Sequence, residues 1–487
     1  MSGVMVDGNT LTAEQVDAVV RGAPATLCPE AEARMRRSAS WLQAHHGADV
    51  VRSKWAPWMG QAPPEEVCQI FIEDHCSGMG EPMPRSWVRA MMLARANVLA
   101  TGHTGCRPEV ALLLLEMLRC DVVPIVPRHG DVGAAGSVPL AHVARVALRY
   151  GGEAWRGETR CGAKAAMEGL PEWVPNEKEA LSLINGSSFA TGLAALAVVR
   201  SRRVLDALDA AAALSMEVVR ADLSALDQEA LDARSHTCAT KVASRLRQAL
   251  HGSSLVSHRR DPDSFSIRCT PVVHGSAWEV LEGIEERVDS ELNAASDNPL
   301  VMESGLVESG AFHGAPVALA CDQLKAALTM VAGISERRTF RLTYGQLSGL
   351  PSFLVRNSGV DSGLMLAQYT AASLVSEAKA LSHPASVDTI PTVQHQEDHV
   401  SMAAVSARTL IEVVDLVADV VAIEILSSAQ GLDLRMAEGE SPGEVTRALW
   451  ARVREQVDFW ETDRSLHPDL KSLGSLVREG AFQIPQP

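Results

Sequence analysis

Tyrosine is nearly missing from this chain: there are three in 487 residues, and all aromatics together make up 4%. Chemistry that needs a phenolic base therefore has few candidates. Paired cysteines are missing as well. Nine stand singly (Cys28, Cys68, Cys76, Cys106, Cys120, Cys161, Cys238, Cys269, Cys321), with no Cys-x-x-Cys pair and no Cys/His cluster at zinc spacing. That excludes a zinc-ribbon type of metal site and reads as a set of reduced cytosolic thiols. Excess positive charge is also absent: the formal net charge is −16. This is the wrong sign for a protein that would bind nucleic acid or an acidic membrane by neutralising phosphates. The start, MSGVMVDGNTLTAEQ, carries acids where a secretory leader needs a basic residue and an apolar run, so a cytoplasmic location is expected. One uncharged run, Ala180 to Val199, has membrane length. It is interrupted by Asn185, Gly186, Ser187, Ser188, Thr191 and Gly192, and reads as a buried helix with the loop leading into it.

An apolar content of 46% suffices for a large core. The spacing predicts helices over most of the chain. Thr10-Leu-Thr-Ala-Glu offers a helix N-cap, and residues 85–120 read as two helices joined by TGHTGCRP. VVPIVP at 122–127 reads as an extended lead-in to a loop rich in small residues, RHGDVGAAGSVPLAH (128–142), after which helical spacing resumes from Leu140. Beyond 190 helical patterning dominates. In 403–432, Val414, Val417, Val421 and Ile425 recur at three- and four-residue steps, and 316–341 and 365–382 repeat the signal, so a long-helix bundle is expected. Three regions follow: 1–190 with the loops, 191–435 as the bundle, and 436–487 as a closing helical appendage after the break Gly-Glu-Ser-Pro-Gly (439–443).

Several stretches place polar residues inside apolar helical sequence, which costs free energy unless they are paired or used. They are LINGSS (183–188), FSIRC (265–269), ELNAASDNPLV (291–301), GAFHG (310–314), ISERR (334–338) and SHPASVDTIPTVQHQEDHVSM (382–402). Together they closely resemble the aromatic amino-acid ammonia-lyase and aminomutase family, histidine ammonia-lyases in particular, over about residues 10–435. The resemblance implies a mainly α fold of the ammonia-lyase/fumarase-like superfamily, with a long central bundle and a smaller mixed N-terminal region carrying the active-site loops. It further implies a homotetramer whose active sites are shared between subunits.

The family's hallmark is an electrophile, methylidene-imidazolone, made from Ala-Ser-Gly within a pattern similar to Gly-Ser-Val-Gly-Ala-Ser-Gly-Asp-Leu-Ala-Pro-Leu. Here the stretch reads Gly130-Asp-Val-Gly-Ala134-Ala135-Gly136-Ser137-Val138-Pro-Leu140, one residue shorter after Gly136. Ala135 has no hydroxyl to eliminate, and Ser137 would need Val138 as its closing nitrogen. The resemblance therefore implies a degenerate electrophile loop, Ala134, Ala135 and Gly136, with no cofactor and no metal.

Other positions depart too. The tyrosine of the family's Tyr-Gly-Val-Asn-Thr-Gly-Phe-Gly loop falls in Ser53-Lys-Trp-Ala-Pro-Trp-Met-Gly60, a second active-site tyrosine falls on Phe265, and the asparagine of Gly-Asn-Phe-His-Gly falls on Ala311. What matches is the substrate-holding set. The resemblance assigns Arg268 to the substrate carboxylate, Asn185 to the same end, His75 to the ring, Phe312 to substrate contact and Glu397 to an imidazole; His395 stands where an asparagine is usual.

This combination suggests a histidine-like substrate whose nitrogen leaves without capture. A quaternary ammonium fits, since it has no lone pair and departs as a neutral amine. Trp55 and Trp58 offer indole faces for such a cation, although flanking a proline they could equally pin the loop. The leading expectation is an ergothionase-like elimination of trimethylamine from a histidine betaine, giving a urocanate-like acid. Glu397 and His75 would stabilise charge, and Tyr344 and Lys54 are rival bases. Two alternatives stay open: a conventional histidine or aromatic amino-acid ammonia-lyase or aminomutase inactivated at the triad serine, and a non-catalytic or repurposed pathway protein. Arg268 with Glu397 could also form no more than an ion pair. Asp297 and Asn298 read as turn and cap residues, Glu336, Arg337 and Arg338 as a helix-surface or subunit-contact cluster, and His313 and His399 as supports of the site.

Overall fold

The structure, a computed structural model, describes residues 3–46, 64–259 and 262–485. It is mainly α. Four long helices, Ser188–Val218, Thr270–Leu292, Ala315–Thr343 and Ala403–Ala437, contain 31, 23, 29 and 35 residues. The last is about 50 Å long at 1.5 Å per residue. Its valines and isoleucines at 413, 414, 417, 420, 421 and 425 are fully buried, as the three- and four-residue steps require. Internal contacts divide the chain into two compact units, one of Met1–Val199, Ile284–Asp322 and Pro384–Ile411, the other of Arg200–Gly283, Gln323–His383 and Glu412–Pro487.

In the first unit a helix begins at Thr12, which accepts from Gln15 N while Gln15 Oε1 accepts from Thr12 N, a reciprocal box that satisfies two orphan donors. The helices Arg85–Ala100 and Pro108–Arg119 follow, then short strands that the sequence only hinted at. Val122–Pro124 pairs antiparallel with Glu153–Arg156, which pairs with Thr159–Gly162; Met79–Pro82 pairs with Pro127–His129. The uncharged run resolves into the buried helix Glu177–Ile184, a break at 185–187 and the start of Ser188–Val218.

Asp297 is no turn residue. It is fully buried and takes Lys178 Nζ at 2.9 Å and Ser182 Oγ at 2.6 Å on one oxygen and Asn185 Nδ2 at 2.7 Å on the other, with Arg95 at 3.7 Å. Burial pushes its carboxyl up, but Lys178, Arg95 and the hydrogen bonds outweigh this and hold it below the usual carboxylate range.

In the second unit the Ser-Glu-Arg-Arg cluster is likewise not a surface feature. Only Arg337 is exposed, gripping Glu336. Arg338 is fully buried and bonds both oxygens of Glu424, at 2.5 and 2.9 Å, while Ser215 and Ser335 donate to the same carboxylate at 2.6 Å each. Arg338 also meets His274 Nε2 at 3.2 Å, and His274 Nδ1 meets Asp209 at 2.7 Å. Burial, first, and the Arg338 charge lower the pKa of that imidazole below its ordinary value against the pull of Asp209, and because Arg338 can only donate, Nε2 accepts as in a neutral ring.

Candidate functional site

The loop of small residues lies in the first unit, between the strand Pro127–His129 and the helix Val138–Ala147. Its curvature rests on glycines: Gly133 and Gly136 have φ of 74° and 65°. At Gly133 a Cβ would stand 2.5 Å from Ala403 N, so only glycine fits there. Gly133 O accepts from Gly314 N at 3.1 Å and from the Ser401 hydroxyl, and Met402 N donates to Val132 O at 2.8 Å. These bonds tie the loop to the segments that carry Phe312 and Glu397. Ala134 packs with Val400 and Met402, and Ala135 is 8% exposed.

Asp131 closes the loop. One oxygen accepts from Gly133 N and the other from Ser137 Oγ, both at 2.6 Å. Relative to the family pattern, the serine and aspartate that flank the small residues have changed places. Burial pushes the Asp131 carboxyl up, the bonds from Ser137 and Gly133 pull it down, and the charge of Glu397 pushes it up again, leaving it above its ordinary value.

The residues present do not fit the family's electrophile. Position 135 offers only a methyl group. Ser137 cannot replace it, because its hydroxyl is spent on Asp131, its N–H on Ile184 O at 2.6 Å, and Val138 already opens a helix.

His75 follows the helix Pro64–Asp74. Its Nδ1 donates to Phe71 O at 2.8 Å, so in the neutral ring Nε2 is the acceptor. That edge faces the loop: a Cβ at Gly136 would lie 3.1 Å from His75 Nε2. Glu397 is partly exposed and its Oε2 accepts from Thr392 Oγ1 at 2.5 Å. Phe312 is half-buried two residues before Gly314. His313 Nε2 lies 3.3 Å from His399 O, so these two histidines brace one another. Asn185 is fully buried, and its amide donates to Asp297 at 2.7 Å and to Asn298 O at 3.1 Å. Both N–H bonds are thereby used, which leaves its oxygen, already accepting from Gly186 N, as the only free polar group.

The second unit carries Arg268 and Tyr344. Arg268 ends the short helix Phe265–Arg268 and is exposed, its guanidinium 4.8 Å from the centre of the Phe265 ring. Tyr344 is exposed and its hydroxyl donates to Gln346 Oε1 at 2.9 Å. Lys54, Trp55 and Trp58 lie outside the described residues. The sequence reading missed Thr392, Asp131 and the Lys178–Asp297 pair behind Asn185. Only Asp131 left a signal, in its exchange with Ser137.

A sequence model of the family described as aromatic amino acid lyase matches residues 59–455. The histidine ammonia-lyase of Caldanaerobacter subterraneus subsp. tengcongensis is 38% identical over 99% of this chain and 98% of its own length. Among solved structures, histidine ammonia-lyase from Trypanosoma cruzi superposes with a TM-score of 0.90 at 37% identity, covering 98% of this chain and 94% of that one. The ergothioneine-degrading ergothionase of Treponema denticola superposes with a TM-score of 0.88 over 99% of both chains. At 22% identity that likeness is one of fold.

Proposed function

The chain belongs to the aromatic amino acid lyase family, and from that premise we propose that it takes histidine or a histidine-derived amino acid and acts at its Cα–N bond. Near full-length likeness to relatives called histidine ammonia-lyase carries the substrate class. In this reading His75 and Glu397 meet the imidazole, Arg268 clamps the carboxylate with its planar fork, and Phe312 packs on the substrate. Asn185, its amide hydrogens spent on Asp297 and Asn298, can offer the substrate only an oxygen acceptor, which suits an N–H of the substrate and not its carboxylate.

The reading includes a cytoplasmic homotetramer. None of the nine cysteines is in a disulfide, as a reducing compartment would keep them. Val387, Ile390 and Val393 in the first unit, and Met330, Phe340, Tyr344, Leu366 and Tyr369 in the second, are exposed apolar side chains that further copies would cover.

The leaving group has two accounts. The comparisons favour a conventional histidine ammonia-lyase scaffold inactivated at the triad serine, which binds histidine and releases no ammonia until a serine is restored at 135. Ala135 itself favours the second, a betaine such as hercynine or ergothioneine that loses trimethylamine without capture, with Trp55 and Trp58 around the cation and Tyr344 or Lys54 as base.

The test is to incubate the protein and its Ala135→Ser variant with histidine, hercynine and ergothioneine. Conjugated acid, ammonia and trimethylamine are followed, and each protein is weighed for loss of water. Ammonia from histidine with the variant alone supports the conventional scaffold. Trimethylamine from the unaltered protein supports the betaine. If no compound is turned over or shifts the melting temperature of either protein, both accounts fail and a non-catalytic assembly role takes their place.

A further inference from the structure

Between the hydroxyl of Thr392 and the carboxylate of Glu397 the backbone takes a form that L-residues avoid. Val393, Gln394 and His395 have φ of 47°, 52° and 69°, three consecutive non-glycine residues in the left-handed region. There the Cβ crowds the following carbonyl oxygen, most severely for a β-branched residue such as Val393. Together they make one left-handed turn: His395 N donates to Thr392 O and Gln396 N to Val393 O, both at 3.0 Å.

Burial within the chain does not explain the conformation. Val393 is 59% exposed, and Gln394 and His395 are exposed as well. What holds the turn lies at its base, where Thr392 N donates to Glu397 O at 3.0 Å and Thr392 Oγ1 donates to Glu397 Oε2 at 2.5 Å. Further along, Val400 N donates to Thr389 Oγ1 at 2.9 Å, and Ser401 and Met402 fasten the segment to the loop of small residues. A strained backbone persists where its surroundings over-determine it, and such strain clusters at ligand-holding positions. Here its one result is to reverse the chain over four residues and set the Glu397 carboxylate against a fixed hydroxyl.

We propose that Thr392 and the left-handed turn Val393–His395 are a positioning device that fixes the Glu397 carboxylate for the ring of the substrate. The inference rests on the reading of Glu397 as the group that meets that ring. Thr392 is a positioning residue: it acts through Glu397 and touches no substrate. The hydroxyl holds one oxygen and one rotamer, and leaves the other oxygen for a ring N–H.

Calorimetric binding of histidine and of ergothioneine to the full-length protein tests this. Glu397→Gln should weaken binding, Thr392→Val should weaken it by roughly ten- to a hundredfold, the range of one hydrogen bond to a charged group, and Thr392→Ser should restore it. The double variant Thr392→Val/Glu397→Gln should bind no worse than Glu397→Gln alone, because the two act as a unit. Gln394→Gly separates positioning from plain structure: glycine adopts the left-handed conformation freely, so the melting temperature should hold or rise while affinity falls. A silent Glu397→Gln, or no binding of either compound by the unaltered protein, overturns the ring-reading role and the device with it. A weakened Glu397→Gln with a silent Thr392→Val, or with additive losses in the double variant, overturns the positioning alone.

Discussion

Asp131 and Ser137 bridge the loop of small residues side chain to side chain, carboxylate oxygen to hydroxyl, at 2.6 Å. The family pattern has the same two residue types in the opposite places, the arrangement an exchange of donor and acceptor across one bond would leave. Coupled replacement of that kind predicts non-additive behaviour. Asp131→Ser alone puts two hydroxyls together and leaves Gly133 N without its acceptor. Ser137→Asp alone puts a buried carboxyl group against a partly buried one. Each should cost about 1–3 kcal/mol in urea unfolding. The exchanged pair Asp131→Ser/Ser137→Asp should recover more than half of the summed loss; additive losses would show that the two residues do not act as a bridge.

Gly133 and Gly136 should answer differently to alanine. At 133 the new methyl group meets backbone and side-chain atoms of Ala403 and Ser401 at 2.5–2.8 Å, on top of a left-handed φ. Gly133→Ala should destabilise by at least ~2 kcal/mol. At 136 the nearest atoms are Nε2 and Cδ2 of His75, at 3.1 and 3.2 Å, an imidazole that can yield by a few tenths of an ångström. Gly136→Ala should therefore cost less, about 1–2 kcal/mol from its φ, and displace the ring. Comparing the melting temperatures of the two variants is the check, and equal losses would contradict this packing.

The helices were legible because a buried face repeats every three or four residues whatever it packs against, and 403–432 extends in the structure to Ala403–Ala437. Most short strands were not, since three or four residues give no period to read, as in Glu153–Arg156. Asp297 and Arg338 were misread for another reason. A charged residue just ahead of an Asn-Pro turn signal or within a charged cluster looks solvated unless its partner is known, and these partners lie far away in sequence, Lys178 for the first and Glu424 for the second. In the site, His75, Asn185 and Glu397 could be named from matching motifs. That Asn185 has its amide hydrogens spent, and that Thr392 grips Glu397, are facts of geometry with no sequence pattern.

Glu217 predicts a pH dependence within the second unit. Its Oε1 accepts from Gly443 N at 2.7 Å, at the start of the helix Glu444–Arg454, and burial pushes its carboxyl up from 4.5 to about 7 against the hydrogen bonds that pull it down. The folded protein keeps this proton while the unfolded chain releases it between pH 4.5 and about 7. The unfolded state then binds fewer protons, so stability falls as pH rises through that window and stays lower above it. Glu217→Gln retains the acceptor and cannot ionise. It should leave stability unchanged near pH 4 and raise it near pH 8 by an amount of order 3 kcal/mol at most. A variant as pH-dependent as the parent, in melting temperature from pH 4 to 8, would remove Glu217 as the cause.

The Arg338–Glu424 pair makes the largest stability prediction. Both side chains are fully shielded from water, and the carboxylate takes two bonds from the guanidinium and one each from Ser215 and Ser335. Arg338→Met removes the cation and leaves a desolvated carboxylate with two hydroxyls; the loss should be about 3–5 kcal/mol. Glu424→Leu should cost a similar amount, since it strands a buried guanidinium beside a neutral His274. The double variant Arg338→Met/Glu424→Leu removes both charges while keeping most of the volume, so it should be more stable than either single variant. That ordering distinguishes a charge pair from a packing contact. If the double variant loses the sum of the two single losses in urea unfolding, volume and not charge compensation governs this part of the core.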